Sequence, residues 1–222
     1  MHPSAMAAGA RFFQTYLAHV ENPLVVDLGS QDVFGSLRSV APPQVQYFGV
    51  DMAPGKGVDL VLADPYVLPF ADGSVDAVVS SSCFEHIEFF WVVLLEIMRI
   101  LGPRGVLYLN VPSNGAFHRY PVDCWRFYPD SGRALAGWAR RNGFDCLLLE
   151  SYVGAQQQDQ WNDFVCVLLR DQASLAQYPH RMLTGLSDYS NGLCHPDLDT
   201  FLHPQELSED QRKAAAGAPL PK

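Results

Sequence analysis

Positive charge is scarce in this chain. Its 15 Lys and Arg residues stand against 24 Asp and Glu, a formal net charge of −9 over 222 residues. A surface of that sign repels phosphate backbones. The cations are scattered, and Arg133, Arg140 and Arg141 form the one small cluster, so no nucleic-acid partner is expected. Cysteine is sparse as well. Cys83, Cys124, Cys146, Cys166 and Cys194 are widely spaced, with no pair at zinc-finger or redox-motif separation. Reduced thiols follow, and no metal site is expected. Long apolar runs are missing too. The most apolar stretch, Phe89 to Leu95, falls far short of the roughly 20 residues a membrane span needs, and Glu96 and Arg99 follow it. Met1 to Ala10 lacks the basic start and apolar run of a secretion signal. The expectation is a soluble, cytoplasmic protein with no membrane partner.

Nearly half the residues are apolar and 18% are charged, the balance of an ordinary globular protein. Apolar residues at helical spacing predict a first helix over about Ala7 to Val20. After Pro23, Leu24 to Leu28 reads as a strand buried on both faces. Ser36 to Val40 leaves room for one helical turn. Further strands are predicted at Val45–Asp51, Val58–Ala63, Val75–Val79 and Val106–Val111, with a helix over Glu88–Leu101 closed by Gly102-Pro103-Arg104-Gly105. Asp130 to Asn142 reads as a helix, capped by Asp130 and closed by Gly143. Cys146–Val153 and Phe164–Leu169 read as an antiparallel pair. Periodicity fades from Asp171, and Ser208 to Lys222 is polar and expected to be mobile.

Strands alternating with helices imply a mostly parallel α/β sheet covered on both faces. Ligands bind such sheets beyond the carboxyl ends of the strands, where strand order reverses. That rule points to Asp27–Gly35, Asp51, Asp64 and Ser80–His86. One link is unusually short: Met52 to Gly57 joins two parallel strands with six residues, which reach at most about 20 Å. A helix does not fit there.

The run Val25-Val26-Asp27-Leu28-Gly29-Ser30-Gln31-Asp32-Val33-Phe34-Gly35 resembles the first motif of class I S-adenosylmethionine-dependent methyltransferases. Tyr47-Phe48-Gly49-Val50-Asp51 resembles their second strand. Asp64, with Leu68-Pro69-Phe70 and Asp72-Gly73-Ser74, resembles the adenine segment. Phe84-Glu85-His86-Ile87 and Glu96 to Gly105 resemble the later loop, helix and glycine turn. Together these motifs span residues 24 to 111, and the pattern is similar to a bacterial subgroup found with surface-polysaccharide genes. The family usually has a second glycine where Gln31 stands.

The resemblance implies a Rossmann-like, doubly wound sheet with a C-terminal antiparallel hairpin strand, occupying residues 1–170, and a C-terminal extension over 171–222. It implies S-adenosyl-L-methionine as cofactor, held by Asp27, Gly29, Ser30, Asp51, Met52, Asp64 and Ser81. Asp51 would take the ribose diol, since a carboxylate can accept from both hydroxyls. The activity implied is methyl transfer to oxygen or nitrogen of a small molecule or glycan. His86 lies in the loop nearest the acceptor and could take a proton, with His118 facing it. Phe117 to Pro129 crowds aromatics, a His and both charge signs at the ligand edge. It reads either as a structural plug or as an acceptor pocket built from Tyr120, Trp125 and Arg126. Gln156 to Asn162, with Asp159 and Trp161, would form the opposite wall. A homodimer contact through the apolar helix is the further partner considered. Two rivals are a methyltransferase-like partner protein without catalysis and a nicotinamide-dependent oxidoreductase or epimerase. The second wants Gly-x-Gly-x-x-Gly after the first strand, where this chain has only Gly29 and Gly35.

Overall fold

A computed structural model describes residues 2–156 and 161–217 of the chain. One nine-stranded sheet organises it, in the order β3-β2-β1-β4-β5-β7-β6-β8-β9. The strands are β1 (Leu24–Leu28), β2 (Gln46–Asp51), β3 (Leu60–Val61), β4 (Val75–Ser81), β5 (Leu101–Pro112), β6 (Leu147–Gly154), β7 (Asp163–Leu169), β8 (Tyr189–Cys194) and β9 (Asp197–Leu202). The first five are parallel. β7 inserts antiparallel between β5 and β6. This is the doubly wound, mostly parallel architecture with an antiparallel hairpin that the motifs implied. The helices are α1 (Pro3–Phe12), α2 (Phe90–Ile100), α3 (Ser131–Arg141) and α4 (Glu209–Ala215).

Strand alternation divides the core in two. Val26, Val78, Leu107 and Leu109 face α2 and α3, packing with Leu94, Ile97, Met98 and Leu135. Val25, Val79, Val106 and Tyr108 face the other way, onto Phe12, Phe13, Tyr16 and Leu17. Because both faces are covered, the central strands read as near-continuous apolar runs. α2 spends its apolar side on this core, which leaves Phe89 and Val92 as the exposed large apolar residues at its start.

Several boundaries differ from expectation. The first helix starts earlier, with Pro3 at its first turn, and ends in a π-helical turn over Phe13–Leu17. Pro suits the first turn, where its missing N–H has no helical partner. α2 starts later than predicted, because Phe84–His86 forms a separate 3-10 turn and Phe89 is not helical. Gly102 to Gly105 does not simply close α2. Leu101 already pairs with Val75, so the turn lies inside an irregular start of β5. Asp130 does not cap α3; its carboxylate pairs with Arg133. Gly143, at φ 90°, closes α3 as expected.

The third strand shrinks to two residues, and its short link contains no helix. The link is held by side chains in place of a crossover helix. The Gly49 N–H donates to the Asp59 carboxylate at 2.7 Å, the Asp59 N–H donates back to the Gly49 carbonyl, and Arg38 pairs with Asp59. A Cβ on Gly49 would come within 2.3 Å of the Gly57 carbonyl oxygen. The absence of a side chain there lets the link lie against β2.

The segment after Arg170 joins the same sheet. β8 pairs with β6, and β9 pairs with β8. Tyr178, Met182, Leu183 and Leu193 from this segment are buried. The tail expectation covered Ser208 to Lys222; α4, capped by Ser208, occupies Glu209–Ala215 within it, and 218–222 lie outside the described residues.

Candidate active site

At the carboxyl edge of the sheet, β2, β1 and β4 are neighbours, so Asp51, Gly29–Ser30 and Ser81 end side by side. Gly29 is left-handed at φ 83°, and a Cβ there would meet Cys83 Sγ at 2.5 Å. Glycine is thus required both for the backbone path and for close approach of the loop after β4. The Gly29 and Ser30 N–H groups both donate to the Val50 carbonyl. This fastens the turn to β2.

Asp51 is half-buried at the end of β2. Its Oδ2 accepts from Gln31 N at 3.1 Å and its Oδ1 from Ala53 N at 3.3 Å. Each oxygen retains a further lone pair. Met52 beside it is 56% exposed. Asp64 is exposed and accepts from the Tyr66 N–H in its own turn, as a strand-end turn acid does. Asp27 is buried, and the Tyr47 hydroxyl donates to its carboxylate at 2.6 Å. Burial pushes this carboxyl up from 3.8 to about 7, although the Tyr47 hydrogen bond opposes the shift. Asp27 thus lies buried near the end of β1, bonded to Tyr47.

Gln31, where a glycine is usual, bridges three segments. Its amide donates to the Pro54 carbonyl and accepts from the Tyr120 hydroxyl at 3.0 Å. Two buried hydroxyls at this edge, Ser30 Oγ and Ser81 Oγ, have no hydrogen-bond partner, nor does Asn110 Oδ1. Asn110 lies opposite Ser81 in the β4–β5 register. Sequence reading missed Asn110, although a polar residue inside Val106–Val111 was its signal.

The loop after β5 folds over the turn after β4. Cys124 N and Trp125 N both donate to the Glu85 carbonyl, and the His86 Nδ1–H donates to the Val122 carbonyl. His86 and His118 meet edge to face with ring centroids 4.9 Å apart. They are in contact, with no gap between them, and His118 also meets Trp161 at 4.7 Å. Burial pulls His86 down from its ordinary value. The expected pocket members separate. Tyr120 is exposed beside His86, at 6.5 Å between rings. Trp125 turns instead toward Phe90 and Trp91, where it lines an apolar groove of about 410 Å³ against α3. The Arg126 guanidinium is engaged internally, by both Asp123 oxygens and the Ala116 carbonyl. Burial raises the Asp123 carboxyl, but Arg126 and the His118 N–H bring it down to about 2. Asp159, the other member of the expected opposite wall, lies outside the described residues.

Glu85 was absent from the sequence-derived site residues. It is 1% exposed, and its Oε2 has no hydrogen-bond partner. Burial raises its carboxyl to about 8. Its signal was present, as an acid next to His86, but only the fold shows that it points inward.

Residues 12–109 match the family model described as a methyltransferase domain. An uncharacterized methyltransferase of Mycobacterium marinum is 34% identical over 103 residues, covering 46% of this chain and 40% of the relative. A demethylmenaquinone methyltransferase of Thermus thermophilus is 32% identical over 132 residues, covering 51% of this chain and 60% of the relative. The alignments thus span less than two thirds of these relatives' length. Among solved structures, the Burkholderia thailandensis 1,6-didemethyltoxoflavin-N1-methyltransferase, with bound 1,6-didemethyltoxoflavin and S-adenosylhomocysteine, matches with a TM-score of 0.58. It is 16% identical and covers 76% of this chain and 79% of that one, a likeness of fold. Residues 12–109 are thus similar to a methyltransferase domain, and the chain has the fold of class I S-adenosylmethionine-dependent methyltransferases. The unpartnered Ser30 and Ser81 hydroxyls, the open Asp51 carboxylate and the left-handed Gly29 fit that cofactor at this edge.

Proposed function

We propose that the chain is an S-adenosylmethionine-dependent methyltransferase acting on oxygen or nitrogen of a small molecule or glycan. One observation carries this reading: Asp51, the Gly29–Ser30 turn and Ser81 converge on one sheet edge beside the His86–His118 contact. The cofactor supplies an electrophilic methyl group. On the protein side, Asp51 holds the ribose diol, and Asp64, Ser30, Met52 and Ser81 complete the cofactor cradle. Gly29 shapes that cradle, and Asp27 supports it from below. The loop carrying His118 and Tyr120 covers the cleft and excludes water. His86 and His118 meet the acceptor and handle its proton. The five free thiols suit a reducing, cytoplasmic setting. Among the described residues no helix is long and apolar enough to cross a membrane.

The second reading is a methyltransferase-like partner protein without catalysis. Gln31 favours it, because its side chain ties the β1 turn to Pro54 and Tyr120 across the cleft. Calorimetric titration with S-adenosylmethionine, followed by an acceptor screen for S-adenosylhomocysteine, separates the two. Heat with turnover supports the enzyme, whereas heat without turnover, or no heat at all, supports the partner protein.

On the acceptor side, His86→Ala and His118→Ala are expected to keep cofactor affinity near wild type. Turnover should fall by about 100-fold or more, the scale of a lost proton-handling group. Normal turnover in both variants would leave the loop as a structural plug.

A further inference from the structure

We propose that Glu85, His86 and His118 form a binding site for a divalent first-row transition ion of the zinc kind. The inference rests on the acceptor reading above and deepens it. Each residue offers one ligand atom, and the three atoms lie within 4.8 Å of one another. Around a tetrahedral zinc at 2.0–2.1 Å, ligand atoms stand about 3.4 Å apart, so the set closes by roughly one ångström. His118, with 37% of its side chain exposed, is the most open of the three and would make that movement.

Two features point to a cation here, and a third holds the two segments together. Glu85 presents a buried carboxyl oxygen with no hydrogen-bond partner, an unsatisfied polar atom that a cation would satisfy. The Arg126 guanidinium does not meet it, being hydrogen-bonded to Asp123 and the Ala116 carbonyl. His86 is set up as metal-ligating histidines usually are, with Nδ1–H donating to a backbone carbonyl. That fixes the lone pair on Nε2, which lies 3.7 Å from Glu85 Oε1. Finally, backbone hydrogen bonds from Cys124 and Trp125 to the Glu85 carbonyl hold the loop after β5 against the turn that carries Glu85 and His86.

Two imidazoles and one carboxylate suit zinc or a neighbouring transition ion, and do not suit magnesium or calcium, which take oxygen ligands. Three protein ligands leave a coordination position for the oxygen or nitrogen of an acceptor. Coordination lowers that group's pKa, and its proton passes to water. This is how the two histidines would handle the acceptor's proton without either being the final base.

The test is calorimetric titration of the chelator-treated full chain with zinc chloride, with Co2+ absorption reporting imidazole ligation. The wild type is expected to take up one equivalent. Glu85→Gln and His118→Ala should each weaken it by about 100-fold or more, with thermal unfolding and S-adenosylmethionine binding unchanged. If Glu85→Gln fails to fold, His118→Ala decides. Absence of stoichiometric binding, or equal binding in the variants through the thiols, overturns the site. A wild type that binds S-adenosylmethionine but no zinc loses only this inference. One whose zinc is lost in the variants, yet which binds no S-adenosylmethionine, loses the methyltransferase reading and keeps the metal site.

Discussion

Asp51 and Asp27 are both strand-end acids in the sequence, and the structure gives them different environments. Asp51 remains half-open, with one backbone donor on each oxygen. Asp51→Ala removes charge-assisted hydrogen bonds worth about 1.5–3 kcal/mol. Cofactor binding should therefore weaken by roughly 10- to 150-fold, and unchanged affinity in a folded variant, measured by calorimetry, would remove its ribose role. Asp27 is buried and raised from 3.8 to about 7, chiefly by desolvation. The folded protein thus keeps a proton that the unfolded chain has lost between about pH 4 and 7. Stability from this site falls as pH rises through that window, and above it a charged, buried carboxylate opposes folding. Asn at position 27 has no such dependence. Without cofactor, Asp27→Asn should gain stability over wild type from pH 4 to pH 8, by at most about 4 kcal/mol. Parallel melting profiles across that range would show that Asp27 is not protonated when folded.

At the scale of elements, the β2–β3 link decides how the cofactor edge is assembled. Six residues replace a crossover helix only because Gly49 lets the Gly57 carbonyl approach β2 and because Asp59 hydrogen-bonds the Gly49 N–H. Gly49→Ala drives a Cβ against a backbone carbonyl, which cannot rotate away. A loss of about 1–3 kcal/mol is expected, seen as a lower urea midpoint at unchanged slope. An unchanged midpoint would mean that the link is not packed on β2. The link was legible from length alone, since parallel strands so close in sequence exclude a helix. Its anchors were not, because nothing in the spacing pairs Gly49 with Asp59. The aromatic loop after β5 was legible only as an ambiguity. Trp125 lines a groove by α3, while Tyr120 bonds Gln31 and His118 packs on His86, a separation no local pattern encodes.

For the whole molecule, the segment after Arg170 is continuous with the core. It adds β8 to the β6 edge, buries four large apolar side chains and gives Glu150 two backbone donors, Met182 N and Leu183 N. At about 1.5–3 kcal/mol each, those four side chains approach the 5–15 kcal/mol total stability of a typical domain. A chain ending at Arg170 is expected to lose cooperative unfolding in circular dichroism, and a truncation that melts like the full chain would show that the first 170 residues fold independently.

The apolar runs at Leu24–Leu28, Val75–Val79 and Val106–Val111 determined a buried parallel sheet, because a strand covered on both faces has no polar alternation to obscure it. Asp27, Asp51 and Asp64 fall at the ends of apolar runs, which marked the carboxyl edge of that sheet. β8 and β9 escaped because Tyr189–Cys194 and Asp197–Leu202 are half-exposed and carry Ser, Asn, Asp and Thr, and β6, which joins β8 to the sheet, lies some forty residues away in sequence. Tertiary structure alone decided that Glu85 turns inward while Asp64 turns out, that Gln31 reaches Tyr120, and that His86 meets His118. Each depends on two loops from different strands crossing one edge, and the relative placement of loops is set by packing, which no local pattern encodes.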